Sequence, residues 1–434
     1  MRERTFIRSW VMFTVVGVAM AALLNVIVDP YGIFGSPRID GFNAKKPNIG
    51  TKVRTAKIHQ VMKVRPRAIV VGNSRPEIGL DPAHPCWPAE SRPAYNIAIP
   101  GMSVYGQIRY GQHAIAAGDV RLILLGLDFI DFLVPPDADH DPRAWPASHA
   151  KPMRLAVDAK GQPRSAFYWN QLQDQFSAAL SLDALKDTVS TLIQQESGSV
   201  ITRTTLGFNP GTPIFEPIIR FEGASLLFAQ KNEEIAQRLL GRRWSLNHQG
   251  TNWSSNFEAV LRLLRQAKGE GIRAIPFINP LHADFLALID KAGLWPLMEE
   301  WKRRVVMIAE KERADVVWDF SGFTDYAIES VEEVAARGES LRWFWEPSHY
   351  RKELGDRMLF AMLAESCADA ESVDGLGVTL TSSNVEAHLA TQRSMRDGFV
   401  SSNRHRIDKL ADLIARIKRR QGMPLTRVSS SSSR

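Results

Sequence analysis

A chain of 434 residues, 44% hydrophobic and 23% charged, has the composition of a folded globular protein, long enough for one large domain or two smaller ones, which excludes disorder of the whole. The formal charge of +7 is concentrated near the C-terminus: Arg404 to Arg427 hold eight Lys or Arg and two Asp, a net +6, so the remainder is nearly neutral. With no basic groove implied along the main body and no zinc-finger or RNA-binding signature, the sequence argues against nucleic acid as a partner.

Residues 1–9 read as a short cytoplasmic N-terminus carrying Arg2, Arg4 and Arg8. Trp10 to Val28 follows as nineteen residues without a charge, interrupted only by Thr14, Gly17 and Asn25, long enough to cross a bilayer as a helix. The arginines before it favour a cytoplasmic N-terminus, with the bulk of the chain periplasmic or extracellular, although Arg38, Lys45 and Lys46 soften the asymmetry. Ala19, Met20 and Ala21 match a small-x-small cleavage pattern, yet apolar residues continue to Val28, which favours an uncleaved anchor over a removed leader. Lipid is therefore the expected partner of residues 10–28, in a single-pass inner-membrane arrangement.

Residues 29–67, rich in Gly, Pro and Lys, read as an extended connector that ends in a short amphipathic helix over Val53 to Val64. Short apolar runs then appear at Ala68 to Val71, Tyr95 to Ile97, Leu122 to Leu125, Ala274 to Phe277 and Val316 to Trp318, the pattern of buried parallel strands. Helical spacing lies between them over Tyr105 to Ala117, Phe257 to Lys268 and Leu294 to Glu312. Strand alternating with helix predicts an α/β fold, a three-layer doubly wound parallel sheet spanning 68–365. The interval of about 137–256 breaks the alternation and reads as a helical insertion, with helices around Leu180 to Gln195 and Asn232 to Leu240.

From 366 to 434 the chain reads as a helical, basic tail whose final serines, Ser429 to Ser433, are expected to be disordered. Ile407, Leu410, Leu413, Ile414 and Ile417 share a helical face opposite the basic residues, a pattern that fits contact with anionic lipid or polymer, or a solvated helix resting on the domain. Cys86 and Cys367 could pair in an oxidising space or stay as buried thiols.

In an open parallel sheet the functional residues gather beyond the carboxyl ends of the strands. The first strand leads into Gly72, Asn73, Ser74 and Arg75; the second into Asn96, Pro100, Gly101 and Ser103; the third into Asp128 and Asp131. Near the domain's end stands Trp345, Glu346, Pro347, Ser348, His349. A serine after the first strand, a glycine after the second, a polar residue after the third and an acid-x-x-His near the end resemble the four blocks of the SGNH (GDSL-like) hydrolases, over roughly Ala68 to Leu363. The resemblance implies a flavodoxin-like fold and acyl-ester chemistry without cofactor or metal. Ser74 would be the nucleophile, His349 its base and Glu346 the orienting acid. The backbone amides of Ser74 and Gly101 would form the oxyanion hole.

The chain departs from the family pattern at three places: Asn73 and Glu346 stand where aspartates are usual, and Asp128 occupies the region of an expected asparagine donor. An ionised carboxylate there would repel a developing oxyanion unless burial kept it protonated. Asn96, Asp128 and His282 are candidate substrate contacts, with Asp131 and Asp319 as further polar residues at strand ends. Trp343, Phe344 and Trp345 could stack on a sugar or lipid, although core burial is the commoner use of such residues. No HxH, HExxH, CxxC or Gly-rich nucleotide loop is present. Membrane-associated relatives of this type serve envelope and exopolysaccharide assembly, so the expected activity is an O-acyl (acetyl) esterase or acyltransferase on envelope carbohydrate, with assembly proteins as partners. A noncatalytic binding or scaffold module with the same fold is the alternative.

Overall fold

Alternating apolar strands and amphipathic helices fold here into one mostly parallel sheet with helices on both faces. The computed structural model describes residues 2–137, 154–158, 160–198, 200, 202–336, 339–367 and 376–422. In chain order the helices are α1 (Arg2–Val28), α2 (Val53–Val64), α3 (Ser74–Gly79), α4 (Val104–Ala117), α5 (Phe129–Phe132), α6 (Phe167–Leu180), α7 (Leu182–Ile193), α8 (Thr212–Glu222), α9 (Ala224–Leu240) and α10 (Ser255–Gly269). They continue with α11 (Ala283–Lys291), α12 (Trp295–Lys311), α13 (Val331–Ala336), α14 (Lys352–Met362), α15 (Val385–Ser402) and α16 (Arg404–Arg420). The strands are β1 (Ala68–Val71), β2 (Ala94–Asn96), β3 (Leu122–Leu127), β4 (Arg273–Ile278), β5 (Val317–Asp319), β6 (Phe344–Glu346), β7 (His349–Tyr350) and β8 (Val378–Leu380).

Six strands form the main sheet in the order β2-β1-β3-β4-β5-β8. The first five are parallel, as expected, and β8 closes the edge antiparallel to β5. The order reverses direction at β1, so the crevice between the carboxyl ends of β1 and β3 is the topological switch point where doubly wound sheets bind ligands. Alternate side chains serve two cores. Ile69, Val71, Ile123 and Leu125 face α4, α10 and α12, while Ala68, Val70, Leu122 and Leu124 face α14. Leu354, Met358 and Leu359 of α14 are each fully buried, which contributes about 1.5–3 kcal/mol per side chain. Local signals set the helix ends: the Ser103 hydroxyl accepts from the Gly106 amide at the start of α4, and Gly118 follows its end.

Two expectations for the flanks are corrected. The connector over 29–67 is folded rather than extended. Lys46 Nζ donates to the carbonyls of Val28 (3.0 Å) and Asp29 (2.6 Å), filling acceptors that the end of α1 leaves open. The Asp29 carboxylate accepts in turn from the amides of Ile33 and Gly35, each at 2.8 Å. Likewise the region from 376 is part of the domain and not an appended tail, because β8 extends the sheet and α16 packs on α9 and α11. Ile407, Leu410, Leu413, Ile414 and Ile417 are buried in the larger core, so that apolar face is spent on the protein and is closed to lipid or polymer. The serine run 429–433 and residues 138–153 of the insertion lie outside the described residues.

Cys86 and Cys367 form a disulfide. It ties the loop after α3 to the chain just beyond α14.

Candidate active site

Ser74 opens α3 immediately beyond β1. Asn73 caps the helix, its side-chain oxygen accepting from the Arg75 amide at 2.9 Å, which leaves the serine on the first turn at the switch point. From the far end of the chain, the β6–β7 hairpin sets Glu346 opposite His349. The Ser74 hydroxyl lies 2.7 Å from His349 Nε2 across a sequence separation of 275 residues. On the other side of the ring, Nδ1 bonds the Glu346 carboxylate.

The approach of the two halves depends on two glycines. Helices α3 and α14 touch at Gly79 and Gly355, where a Cβ on Gly355 would overlap the Gly79 carbonyl and a Cβ on Gly79 would overlap the Tyr350 ring. A side chain at Gly355 would force the Gly79 backbone to shift, and one at Gly79 would force the buried Tyr350 ring to shift.

Electrostatics fix the tautomer. Glu346 is fully buried, which by itself would raise its pKa. The His349 ring, together with the Ser348 amide (3.0 Å) and hydroxyl (2.9 Å), outweighs burial and holds the carboxyl down at about 2. An ionised Glu346 accepts a hydrogen bond from Nδ1–H, which leaves Nε2 free to accept the Ser74 proton. Because the folded pKa lies below the ordinary 4.5, this carboxylate stabilises the fold fully above about pH 4.5, and the contribution is lost as pH falls toward 2. Glu346→Gln is therefore expected to lower unfolding free energy at neutral pH by on the order of a few kcal/mol, with the deficit shrinking below pH 4.5; urea unfolding across that range measures it.

Asp128 does not point its charge at the serine. It is buried, with one oxygen 2.9 Å from Arg75 Nη1 and the other accepting from the Asn73 (2.6 Å) and Asn279 (3.1 Å) amides. Burial raises its pKa, the Arg75 guanidinium opposes that, and Asp131 adds to the rise. Arg75 also donates from Nε to the Ser348 carbonyl at 2.8 Å, so it links the serine end of the site to the histidine hairpin. The sequence named Arg75 only as the neighbour of Ser74; an arginine beside the candidate serine, with an acid at the end of a neighbouring strand, was the available signal.

The other candidates are placed elsewhere. Asn96 is fully buried and braces α3, donating to the carbonyls of Pro76 (2.8 Å) and Leu80 (2.9 Å), so it does not line the site. His282 caps α11, accepting from the Asp284 amide and bonding the Glu329 carbonyl at 2.9 Å, and burial lowers its pKa to about 4. It is a neutral structural histidine. Asp319 is buried against Lys302 Nζ at 2.6 Å and His388 at 2.9 Å, and Asp131 binds Asn73 and Gln107. Trp345 and Phe344 are buried, with Trp345 stacked behind Phe215 at 5.5 Å. Gly101 stands in the exposed turn before α4 with φ of +64°, and among the described residues it shares no hydrogen bond with Ser74, Glu346 or His349.

His349, Glu346, Ser348 and Arg75 open onto a cavity of about 360 Å³. Most of its other walls come from the insertion, with Ile214, Phe215 and Ile218 of α8 and Leu227, Lys231, Arg238 and Leu239 of α9, while Ile130 of α5 and Phe285 of α11 also line it. Ser74 itself is not among the lining residues and meets the cavity through its hydrogen bond to His349; an apolar wall beside such a serine, histidine and acid can seat an acyl group. No protein-family model matches the chain, and no curated protein matches it significantly.

Proposed function

We propose that this protein is a membrane-anchored serine acyl hydrolase or O-acyltransferase of SGNH type, acting outside the cytoplasm on acylated envelope carbohydrate. The observation that carries the reading is the 2.7 Å hydrogen bond from Ser74 to His349, with Glu346 on the opposite ring nitrogen. As the Ser74 oxygen attacks an ester carbonyl, its proton passes to His349 Nε2. Collapse of the tetrahedral intermediate returns that proton to the departing alkoxide and leaves the acyl group on Ser74. Water or a sugar hydroxyl then repeats the sequence with His349 again as base. The amides of Ser74 and Gly101 are the oxyanion donors the SGNH resemblance assigns, and the Asp128 charge is offset by its 2.9 Å contact to Arg75.

The compartment rests on two features. Helix α1 is long and apolar enough to cross a membrane, and the Cys86–Cys367 disulfide suits an oxidising space.

The test is to give the purified full chain, in bilayer discs, a chromogenic acetyl ester. A burst of the coloured alcohol is expected, with an acetyl adduct on the peptide containing Ser74, discharged by water or by added oligosaccharide. Absence of both burst and adduct, with a carbohydrate acceptor supplied, would reject the enzyme in favour of a noncatalytic binding module.

A further inference from the structure

Helices α6 and α7 carry apolar side chains that the protein does not cover. On α6, Trp169, Leu172, Phe176 and Leu180 recur every three or four residues, and Trp169 and Phe176 are each 63% exposed. On α7, Leu182 (84% exposed) and Ile193 (74%) share one face. Such a surface on a soluble domain marks a contact, and the neighbouring element indicates with what.

Both helices pack along the C-terminal part of α1. Asn25 of α1 donates to the Ala179 carbonyl and accepts from the Thr188 hydroxyl, each at 2.8 Å, and the Tyr31 hydroxyl donates to Asp187 at 2.7 Å. Beside them, residues 21–28 of α1 are mostly covered, whereas residues 10–20 are bare. Length decides the depth. The bare stretch of eleven residues is about 16 Å of helix, half of a hydrocarbon core of about 30 Å, whereas Trp10 to Val28 gives about 28 Å. Arg8 marks the inner limit, so the helix completes the crossing only if its covered part also enters the membrane. Whatever lies beside that part enters with it. The only strongly polar side chain there, Asn25, has both its amide groups satisfied by α6 and α7, as hydrocarbon requires.

We infer that the α6–α7 pair is a second membrane contact, seated at the boundary of headgroups and acyl chains in the outer leaflet beside α1. Trp169 and Tyr168 belong to the residue types that favour this boundary. The inference rests on the reading that α1 crosses the bilayer.

Because the native cysteines are joined, each single cysteine variant of the full chain offers one reactive thiol. Val15→Cys, Phe176→Cys and Ile193→Cys would be labelled with an environment-sensitive fluorophore in vesicles of phosphatidylethanolamine and phosphatidylglycerol. Asp397→Cys, an exposed position on α15, supplies the aqueous reference. The expected result is blue-shifted emission at 15, 176 and 193, severalfold stronger quenching by nitroxide lipids than at 397, and slower reduction by aqueous dithionite. A lipid signature at 15 with 397-like behaviour at both 176 and 193 would overturn the inference and leave the spanning helix standing. Aqueous behaviour at 15 would instead remove the spanning helix, and the depth argument with it.

Discussion

Ser74→Ala is expected to lower kcat/KM for an activated acetyl ester by on the order of 10⁴-fold or more, with the protein still folded. His349→Ala should cost about as much, and the double variant little more than either alone. The reason is that the serine and histidine act as one unit through their 2.7 Å hydrogen bond: a hydroxyl without its base is a weak nucleophile, and a base without the hydroxyl has nothing to activate. Initial rates together with far-ultraviolet circular dichroism check both halves of the statement. Activity that survives in Ser74→Ala, or losses that multiply in the double variant, would assign the hydrolysis to another site.

The largest expected effect on stability is at Glu77, one turn beyond Ser74 on α3. Its carboxylate is buried and bridges Lys57 Nζ of α2 at 2.9 Å and Arg203 Nε of the insertion at 2.8 Å. Burial would raise its pKa, but Lys57 and Arg203 together hold it below the ordinary value. Burial also depresses Lys57 to about 8. Glu77→Ala leaves two cations in the interior without their partner, at a cost of about 3–5 kcal/mol. Replacing all three with Leu or Met should recover much of that loss, since well-packed apolar groups match a buried ion network in many folds. Urea midpoints of the single and triple variants decide this. A single variant within about 0.5 kcal/mol of the parent would mean that water reaches the pair.

The strands with continuous apolar runs were legible in the sequence, because a buried parallel strand has no polar face to disguise it. Ala68–Val71 matches its expected bounds, and Leu122–Leu127 and Arg273–Ile278 each extend theirs by two residues. The helix Val53–Val64 was also legible. Strand β8 was not: Val378–Leu380 is three residues long, and its pairing with Val317–Asp319 is a tertiary fact without local signature. The same limit applied to α16, whose apolar stripe was visible but not what it would cover. Ser74, Glu346 and His349 could be singled out as candidates because each stands at or near a strand end in a fixed motif, and the fold brings the three together. Asn96 and His282 occupy similar ends, yet their polar atoms are consumed by backbone groups that only folding brings near. The pocket walls Ile214, Phe215 and Ile218 lie in the insertion, where ordinary apolar spacing gives no hint of which face meets a cavity.

The crossing of α3 and α14 at Gly79 and Gly355 bears on how the proposed activity would be lost over time. Most single-base changes in a glycine codon introduce a side chain, and at either position that side chain would force a shift beside the candidate residues, in the Tyr350 ring or in the Gly79 backbone, while Ser74, Glu346 and His349 remained in the sequence. A lineage can thus fall silent with its signature residues complete. Under the proposed function, the two glycines would be read beside the motif when working copies are told from relics.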